Sequence, residues 1–485
     1  MSLGAQRLII KLSRDPADPE NVILSLVPPI ERQAGNKPGG FKPVTIRHPD
    51  SLLPPADDFW EELREANVDN RFYSFAEEDR RCKSLGRRLF EVLFDQTVAG
   101  DAKVDYDKIY DEVQGLAHTW DQHRSADRED ASIKSLGWRP RVMLQISDEI
   151  GELWRYPWEL MWIPFQPTKV GKIPGGIFLS RTYAFLRIMP GTRKEGEMRA
   201  TPIHLVCGSK AQNNISATHS SPLDSICGGR RHRPPTLSWL DAHSCSSLRD
   251  MLVRNSSEGY VHLGHSDFVT DEKEVSRSPR QVFFLEEEST APADTLPFSN
   301  SARRVPAAEF ATALDEAVKL KSVYLLGSMT ARVHPTKLGD TLLGHIPRHI
   351  VEIVGFQHDV SSASCLELLQ ILFFSIPQPV EIHEREPIET EVAMLHARRK
   401  MAGLRITGRY SERRRIPNEW WKPVIYRRAA NAEIQIDYQY PSPVGTVESR
   451  DISIPIRLPS DPRMNIGGIS RFVQDIADRA TTSSL

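Results

Sequence analysis

An α/β fold with a largely parallel sheet flanked by helices is what this sequence predicts, and three observations predict it. From about residue 237 onward, short apolar runs alternate with segments of helical period, the rhythm of βαβ units. The segments Gly259-Tyr-Val-His-Leu-Gly-His-Ser-Asp267 and Ser322-Val-Tyr-Leu-Leu-Gly-Ser-Met-Thr-Ala331 are apolar runs that stop abruptly on small and polar residues. Strands that end this way put an imidazole and a hydroxyl at the carboxyl edge of a sheet, where open α/β sheets keep their chemistry. His265 and Ser328 are therefore the first candidate catalytic residues.

In chain order, Leu8–Leu12 and Val22–Leu26 flank a polar turn with Asp15-Pro16 and Asp18-Pro19, the pattern of a hairpin. Helical spacing follows from Asp58 to Ala66 and from Glu77 to Phe94, with Leu85, Leu89, Val92 and Leu93 on one face of the second segment. Residues 99–135 are charged and helical in character, and Arg141–Ile146 reads as a strand. A proline-initiated apolar segment spans Trp154–Met161, and Gly175–Ser180 with Tyr183–Arg187 read as paired strands. After a charged linker, Ile203–Cys207 reads as a buried strand. The Ser, Gly, Arg and His-rich stretch from Gly208 to Pro235 reads as a mobile loop, because it has too little apolar surface to offset its ordering entropy. The second half then predicts a helix over Leu237–Arg254, strands at Tyr260–Leu263, Val323–Leu326 and Ile350–Phe356, and helices over Ala307–Ala317, Ser361–Phe374 and Glu389–Met401. Beyond Trp420–Tyr426, two alternating segments, Ala432–Tyr438 and Asp451–Arg457, read as a half-exposed hairpin, with a short amphipathic helix after them.

The chain's 485 residues give room for two or three domains or one large decorated α/β unit. Lys and Arg total 62 against 64 Asp and Glu, a net charge of −2, so no global field draws the molecule to nucleic acid or an anionic membrane. Five widely spaced cysteines with no C-x-x-C suggest neither a disulfide framework nor a zinc site, and a reducing cytoplasm fits them. No apolar run is long enough to span a bilayer. No phosphate-cradling glycine motif is present, and no cofactor is expected.

A strand ending in His beside a parallel strand ending in a nucleophile is the layout of caspase-like cysteine proteases. Over residues 75–427, in order, the sequence resembles the CHAT family, caspase-like domains related to separase. Arg141–Ile146, the Pro-Trp-Glu within Leu153–Leu160, and Phe185-Leu-Arg187 look like the family's leading half. Tyr260–His265 looks like its histidine strand, and Phe284-Leu-Glu286 with the helix from Val305 like the elements that follow. Val323–Ala331 looks like its nucleophile strand. Val354-Gly-Phe-Gln357, Ala393–Ala402 and Trp421–Tyr426 look like its closing elements.

The resemblance implies two lobes: a degenerate caspase-like lobe with a helical lead-in over 58–199 and a catalytic-type lobe over 200–430. An N-terminal hairpin and linker over 1–57 precede them, and a small β appendage over 431–485 follows. It implies an endopeptidase acting on a protein or peptide and held in check by a regulatory partner, in prokaryotic defence or regulated cell death. No TPR period is visible in the chain.

Two departures stand out. Ser266 follows the histidine where the family has Gly, and Ser328 stands where the family has its cysteine. A thiolate forms readily beside imidazole, whereas a hydroxyl needs stronger base activation, so the expectation is of a chain inactive as written. An engineered Cys→Ser change that traps an uncut substrate and a natural pseudoprotease that captures peptides by strand addition both account for this. A serine protease proper is a third reading, although no Asp is placed by motif to orient His265. In an active form, a cysteine at position 328 is the nucleophile, His265 the general base and acid, and the backbone amides near Gly264 and 328 the oxyanion donors. Asp359 would line a pocket for a basic residue, or else cap the helix after it. His262 lies one alternation off and reads as a packed residue, and Cys365 as a buried small hydrophobe. His219, His232 and His243 lack metal-ligand spacing.

Overall fold

The runs of leucine and isoleucine near the start of the chain form strands β1 (Arg7–Arg14) and β2 (Asn21–Val27), antiparallel from Ile9 opposite Val27 to Arg14 opposite Val22. The turn between them closes on itself: the Asp15 and Asp18 carboxylates accept from the amides of Ala17 and Glu20, each at 2.9 Å. In this computed structural model the described residues are 7–27, 41–68, 75–129, 141–165, 175–193, 204–208, 236–240, 244–264, 266–270, 279–285, 303–333, 337–360, 362–373, 390–406 and 419–430. They belong to the larger of two compact units, Met1–Tyr438; the smaller, Gln439–Leu485, lies outside them, as does the hairpin expected beyond 431.

Strand β3 (Val44–Arg47) continues the hairpin, and helices α1 (Ala56–Val68), α2 (Phe75–Phe94) and α3 (Ala102–Glu129) follow. Then come β4 (Arg141–Ile146), the short β5 (Trp162–Pro164) and β6 (Gly176–Phe178), β7 (Ala184–Arg193), β8 (His204–Gly208) and β9 (Thr236–Leu240). Helix α4 (Cys245–Arg254) leads to β10 (Gly259–Leu263), β11 (Ser266–Val269), β12 (Arg280–Leu285) and β13 (Arg303–Pro306). The last described elements are α5 (Ala307–Asp315), β14 (Ser322–Leu326), β15 (Glu352–Phe356), α6 (Ser362–Phe373), α7 (Thr390–Ile406) and β16 (Pro423–Ala430).

Eleven strands form one sheet in the order β3-β2-β1-β4-β7-β16-β15-β14-β10-β8-β9. Strands β1, β4, β7 and β16 are mutually parallel, and so are β15, β14, β10, β8 and β9; the two blocks meet where β16 runs antiparallel to β15. This is the mainly parallel α/β sheet that the sequence pattern predicts. The N-terminal hairpin extends it, through the parallel pairing of β1 with β4.

Alternation along each strand sends side chains to two cores. On one face Leu8, Ile10, Val142, Tyr260, Val323 and Ile353 pack with Phe59 of α1, Leu85 and Leu89 of α2, Ile109 of α3, Leu248 of α4 and Phe310 of α5. On the other, Ile9, Met143, Val261, Tyr324, Val354 and Ile425 pack with Leu368 and Leu372 of α6 and Met394 and Ala397 of α7. Each large apolar side chain buried this way contributes about 1.5–3 kcal/mol.

Two local expectations are corrected. The segment expected to open a helix at Leu237 is instead β9, parallel to β8, and α4 starts only at Cys245, where Ser244 and Ser247 form a reciprocal capping box. Gly175–Ser180 does not pair with Tyr183–Arg187. Strand β6 pairs with β5 in a separate two-stranded sheet, while β7 joins β4 and β16. The stretch 209–235, expected to be a loop, lies outside the described residues.

Candidate active site at the sheet edge

Strands β10 and β14 pair in parallel from Gly259 opposite Ser322 to Leu263 opposite Leu326. Two residues past that last pair in each strand are positions 265 and 328. The alignment persists beyond the ladder, because the Ser266 amide donates to the Ser328 carbonyl at 3.1 Å. His265 itself lies outside the described residues, between the described Gly264 and Ser266. Gly264 is buried, and a Cβ there would come within 2.7 Å of the His262 Nε2, so the close approach of the imidazole excludes a side chain.

Ser328 is 9% exposed. Its Oγ accepts from the Val360 amide at 3.1 Å and lies 3.5 Å from the Val360 carbonyl. The next residue, Met329, has φ of 57°, a left-handed conformation that costs a non-glycine residue on the order of 1 kcal/mol. This sharp turn lifts residue 328 off the end of β14, and the surroundings hold it there. The Met329 amide donates to the His358 carbonyl at 3.3 Å, and the Ala331 amide to Phe356 at 2.9 Å. Thr330 Oγ1 donates back to the carbonyls of Leu325 and Gly327 at 2.8 and 3.0 Å and accepts from the Phe356 amide at 3.3 Å. A Cβ on Gly355 would fall 2.7 Å from the Cβ of Ala331 and 3.2 Å from Thr330 Oγ1. A threonine and a small residue after the turn are what this packing requires.

Gln281 of β12, a residue the sequence reading missed, ties the turn to its neighbours. Its side-chain amide donates to Ser266 Oγ at 3.0 Å and to the Met329 and Thr330 carbonyls at 3.1 Å each, and its carbonyl oxygen accepts from the Leu342 amide at 2.9 Å. Ser266 Oγ in turn donates to Met329 O at 2.8 Å. Ser266 thus bonds through both its amide and its hydroxyl to the turn at 328–329. No sequence signal marked Gln281.

Asp359 is exposed, three residues beyond the end of β15. Nearby, the Arg332 guanidinium lies 5.1 Å over the Trp60 ring, which stacks on His358 at 5.4 Å and tilts against Trp421 at 6.2 Å. Burial pulls the Arg332 guanidinium down to about 10, against the opposing pull of Asp359 and Asp57. Helix α1 therefore braces the turn through Trp60.

His262 is fully buried, packed on Phe283 and Phe310 at 5.9 and 5.4 Å and bonded through Nδ1 to the Tyr260 hydroxyl at 3.1 Å, as a packed residue should be. Cys365 is buried too, and burial raises its thiol far above the ordinary range. Among the described residues no three His, Cys, Asp or Glu side chains are grouped to hold a metal ion, and no helix is long and apolar enough to cross a membrane.

Three segments distant in sequence converge on one buried cluster. Arg187 bonds Glu159 through Nε at 2.9 Å and through Nη2, and Nη2 also reaches Gln357 Oε1 at 2.9 Å. Gln357 Nε2 donates to Glu159 at 2.6 Å, and Arg187 also donates to the carbonyls of Trp154 and Tyr156. This cluster fixes the end of β15, and with it the segment 357–360 that touches Ser328.

No protein-family model matches the chain, and no curated protein matches it. Among solved structures, the chain is similar to two crystal structures of the Saccharomyces cerevisiae separase–securin complex, at 2.6 and 3.0 angstrom resolution. The identity is 12% and 13% and the TM-score 0.39 and 0.44; each alignment covers 87% of this chain. The chain spans only 30% of the length of each of those chains.

Proposed function

We propose that this chain carries the peptide-binding and catalytic frame of a caspase-like cysteine endopeptidase of the CHAT kind, with serine at the nucleophile position. The observation that carries this reading is the parallel register of β10 and β14, continued by the bond between Ser266 and Ser328, which supports a dyad of His265 and residue 328 at the carboxyl edge of adjacent strands. With cysteine at position 328, the Sγ proton passes to His265 as sulfur bonds to the scissile carbonyl carbon. The carbonyl oxygen gathers charge against the amides at Gly264 and 328. His265 then returns the proton to the nitrogen as the C–N bond breaks, and water hydrolyses the thioester.

Asp359 would meet a basic side chain before the cleaved bond, its exposed carboxylate standing at the rim beyond Ser328. A regulatory protein would release the site, and the lobes over 58–199 and 200–430 would divide bracing from chemistry. With serine, the frame binds peptide without cutting it. Ser328 Oγ accepts from the Val360 amide, a bond that a natural turn serine and a serine standing in place of cysteine would both make.

The test compares the chain with its Ser328→Cys variant, each incubated with peptide libraries and candidate partner proteins and read by mass spectrometry for new termini. Cleavage by the cysteine form, at least about a hundredfold above the serine form and lost on His265→Ala, is the expected result. Peptide binding without cleavage by either form would establish the pseudoprotease instead, and neither binding nor cleavage would sink both readings.

A further inference from the structure

Four consecutive residues after β15 form a bridge between the turn at 328 and the start of β16, each held by its main chain. The Gln357 amide donates to the Lys422 carbonyl at 3.1 Å, and the His358 carbonyl accepts from the Met329 amide. The Asp359 carbonyl accepts from the Lys422 ammonium. The Val360 amide donates to Ser328 Oγ at 3.1 Å. Lys422 thus grips this bridge with both its backbone and its side chain.

Lys422 is 3% exposed, and its ammonium is paired with Glu419, itself buried, at 3.0 Å. The Lys422 amide also donates to the Glu419 carbonyl at 3.1 Å. A buried lysine and glutamate are costly to desolvate, and two apolar residues of the same volume would fill the space at no loss of stability. What an apolar pair would not do is hold a main-chain carbonyl. With the Asp359 oxygen fixed on the ammonium, the amide that follows, Val360 N–H, is held on residue 328.

We infer that the Glu419–Lys422 pair is a positioning device for the candidate site: by fixing the Asp359 carbonyl it aims the Val360 N–H at the side chain of residue 328, where in a cysteine form that N–H stabilises the thiolate. The inference rests on the proposed role of position 328. Lys422 touches no reacting atom in this scheme and acts through the 359–360 peptide. A hydrogen bond to the charged form of a thiol favours ionisation, so the device sets the fraction of reactive thiolate at neutral pH.

The test is made in the Ser328→Cys chain. The thiol introduced at position 328 is alkylated with iodoacetamide across pH 5 to 10 and followed by mass spectrometry of its own peptide, which separates it from the native cysteines. Replacing the pair together, Glu419→Gln with Lys422→Met, avoids leaving one buried charge alone. It is expected to move the pH profile of alkylation upward and slow the reaction at neutral pH by about fivefold to tenfold, with an unchanged melting transition. Lys422→Arg, which keeps a cation on the carbonyl, is expected to stay within about twofold of the parent. If that double variant does not fold, Glu419→Gln with Lys422→Gln keeps the pocket polar while its shorter side chain falls short of Asp359. A folded double variant with the parent's pH profile overturns the inference. Alkylation needs no substrate and no turnover, so an absence of peptide cleavage would count against the proposed function and not against this one.

Discussion

The contact between Gly355 and Ala331 shows how little freedom the site has at single residues. Gly355→Ala would force two methyl groups to a separation of 2.7 Å, in a place where Thr330 Oγ1 is already committed to three main-chain partners. Overpacking of this kind costs about 1–3 kcal/mol. The expected outcome is a loss of that size in urea unfolding, restored in large part by adding Ala331→Gly. The Thr-Ala pair entered the sequence reading only as the end of the segment Val323–Ala331 that resembles a family strand; the bonds of Thr330 to nearby carbonyls and the need for a small side chain at 331 emerge from the packing. Gln281 was not legible. Its role depends on a hairpin strand returning beside the turn at 328, and nothing in the identity of a lone glutamine announces that.

Elements are joined by buried charge. Glu159 follows the proline-initiated turn, Arg187 lies in β7 and Gln357 directly follows β15, and their cluster is closed to solvent. Burial acts to lower the Arg187 pKa, and Glu159 more than reverses it, so the guanidinium stays charged. Glu159→Gln leaves that cation without its counter-charge, and a loss of about 3–5 kcal/mol in denaturant unfolding is expected. Replacing both, Glu159→Gln with Arg187→Met, is expected to cost less than the two single losses summed, the mark of a coupled pair in a double-mutant cycle. The elements themselves were legible where their period was clean, as in α2, β4, β14 and α7. The misread stretch was 237–254, where apolar residues of β9 and α4 sit at spacings that suit one long helix. The true start of α4 is written in Ser244 and Ser247, whose mutual bonds stop the helix from extending backward. Pairings across the sheet, such as β7 with β16, are long-range and left no local trace.

At the scale of the molecule, burial makes the fold sensitive to acid. Burial alone would raise the Glu391 carboxyl, but Arg427, with a hydrogen bond of its own and Arg141 behind it, holds it down at about 2. Its contribution is present above the ordinary value of 4.5 and is lost as pH falls toward 2. His396 is shifted down to about 4, chiefly by burial and then by Lys400 and Arg399, and His349 is lowered as well, chiefly by burial. Each takes up a proton less readily in the folded chain than in the unfolded one, so stability declines from about pH 6.5 downward and, for His396, continues to decline to about 4. Melting temperature is therefore expected to fall in two stages between about pH 7 and 3. His396→Gln should flatten the upper stage, and Glu391→Gln should flatten the lower one while lowering stability at every pH.

The place of β16 governs when this molecule can become a molecule at all. The strand lies between β7 and β15, with Tyr426 beside Arg187 on one side and Ile353 on the other. During synthesis, every described strand on both sides leaves the ribosome before the one that joins them. Until residues 422–430 emerge, the nascent chain holds two half-sheets with open inner edges, and the bridge from β15 to residue 328 has no Lys422 to rest on. Chains released before 423 should be digested by protease at low concentration and should recruit chaperones. Chains released after 430 should resist, and a pulse-proteolysis series of released chains of graded length would locate the change within that single strand.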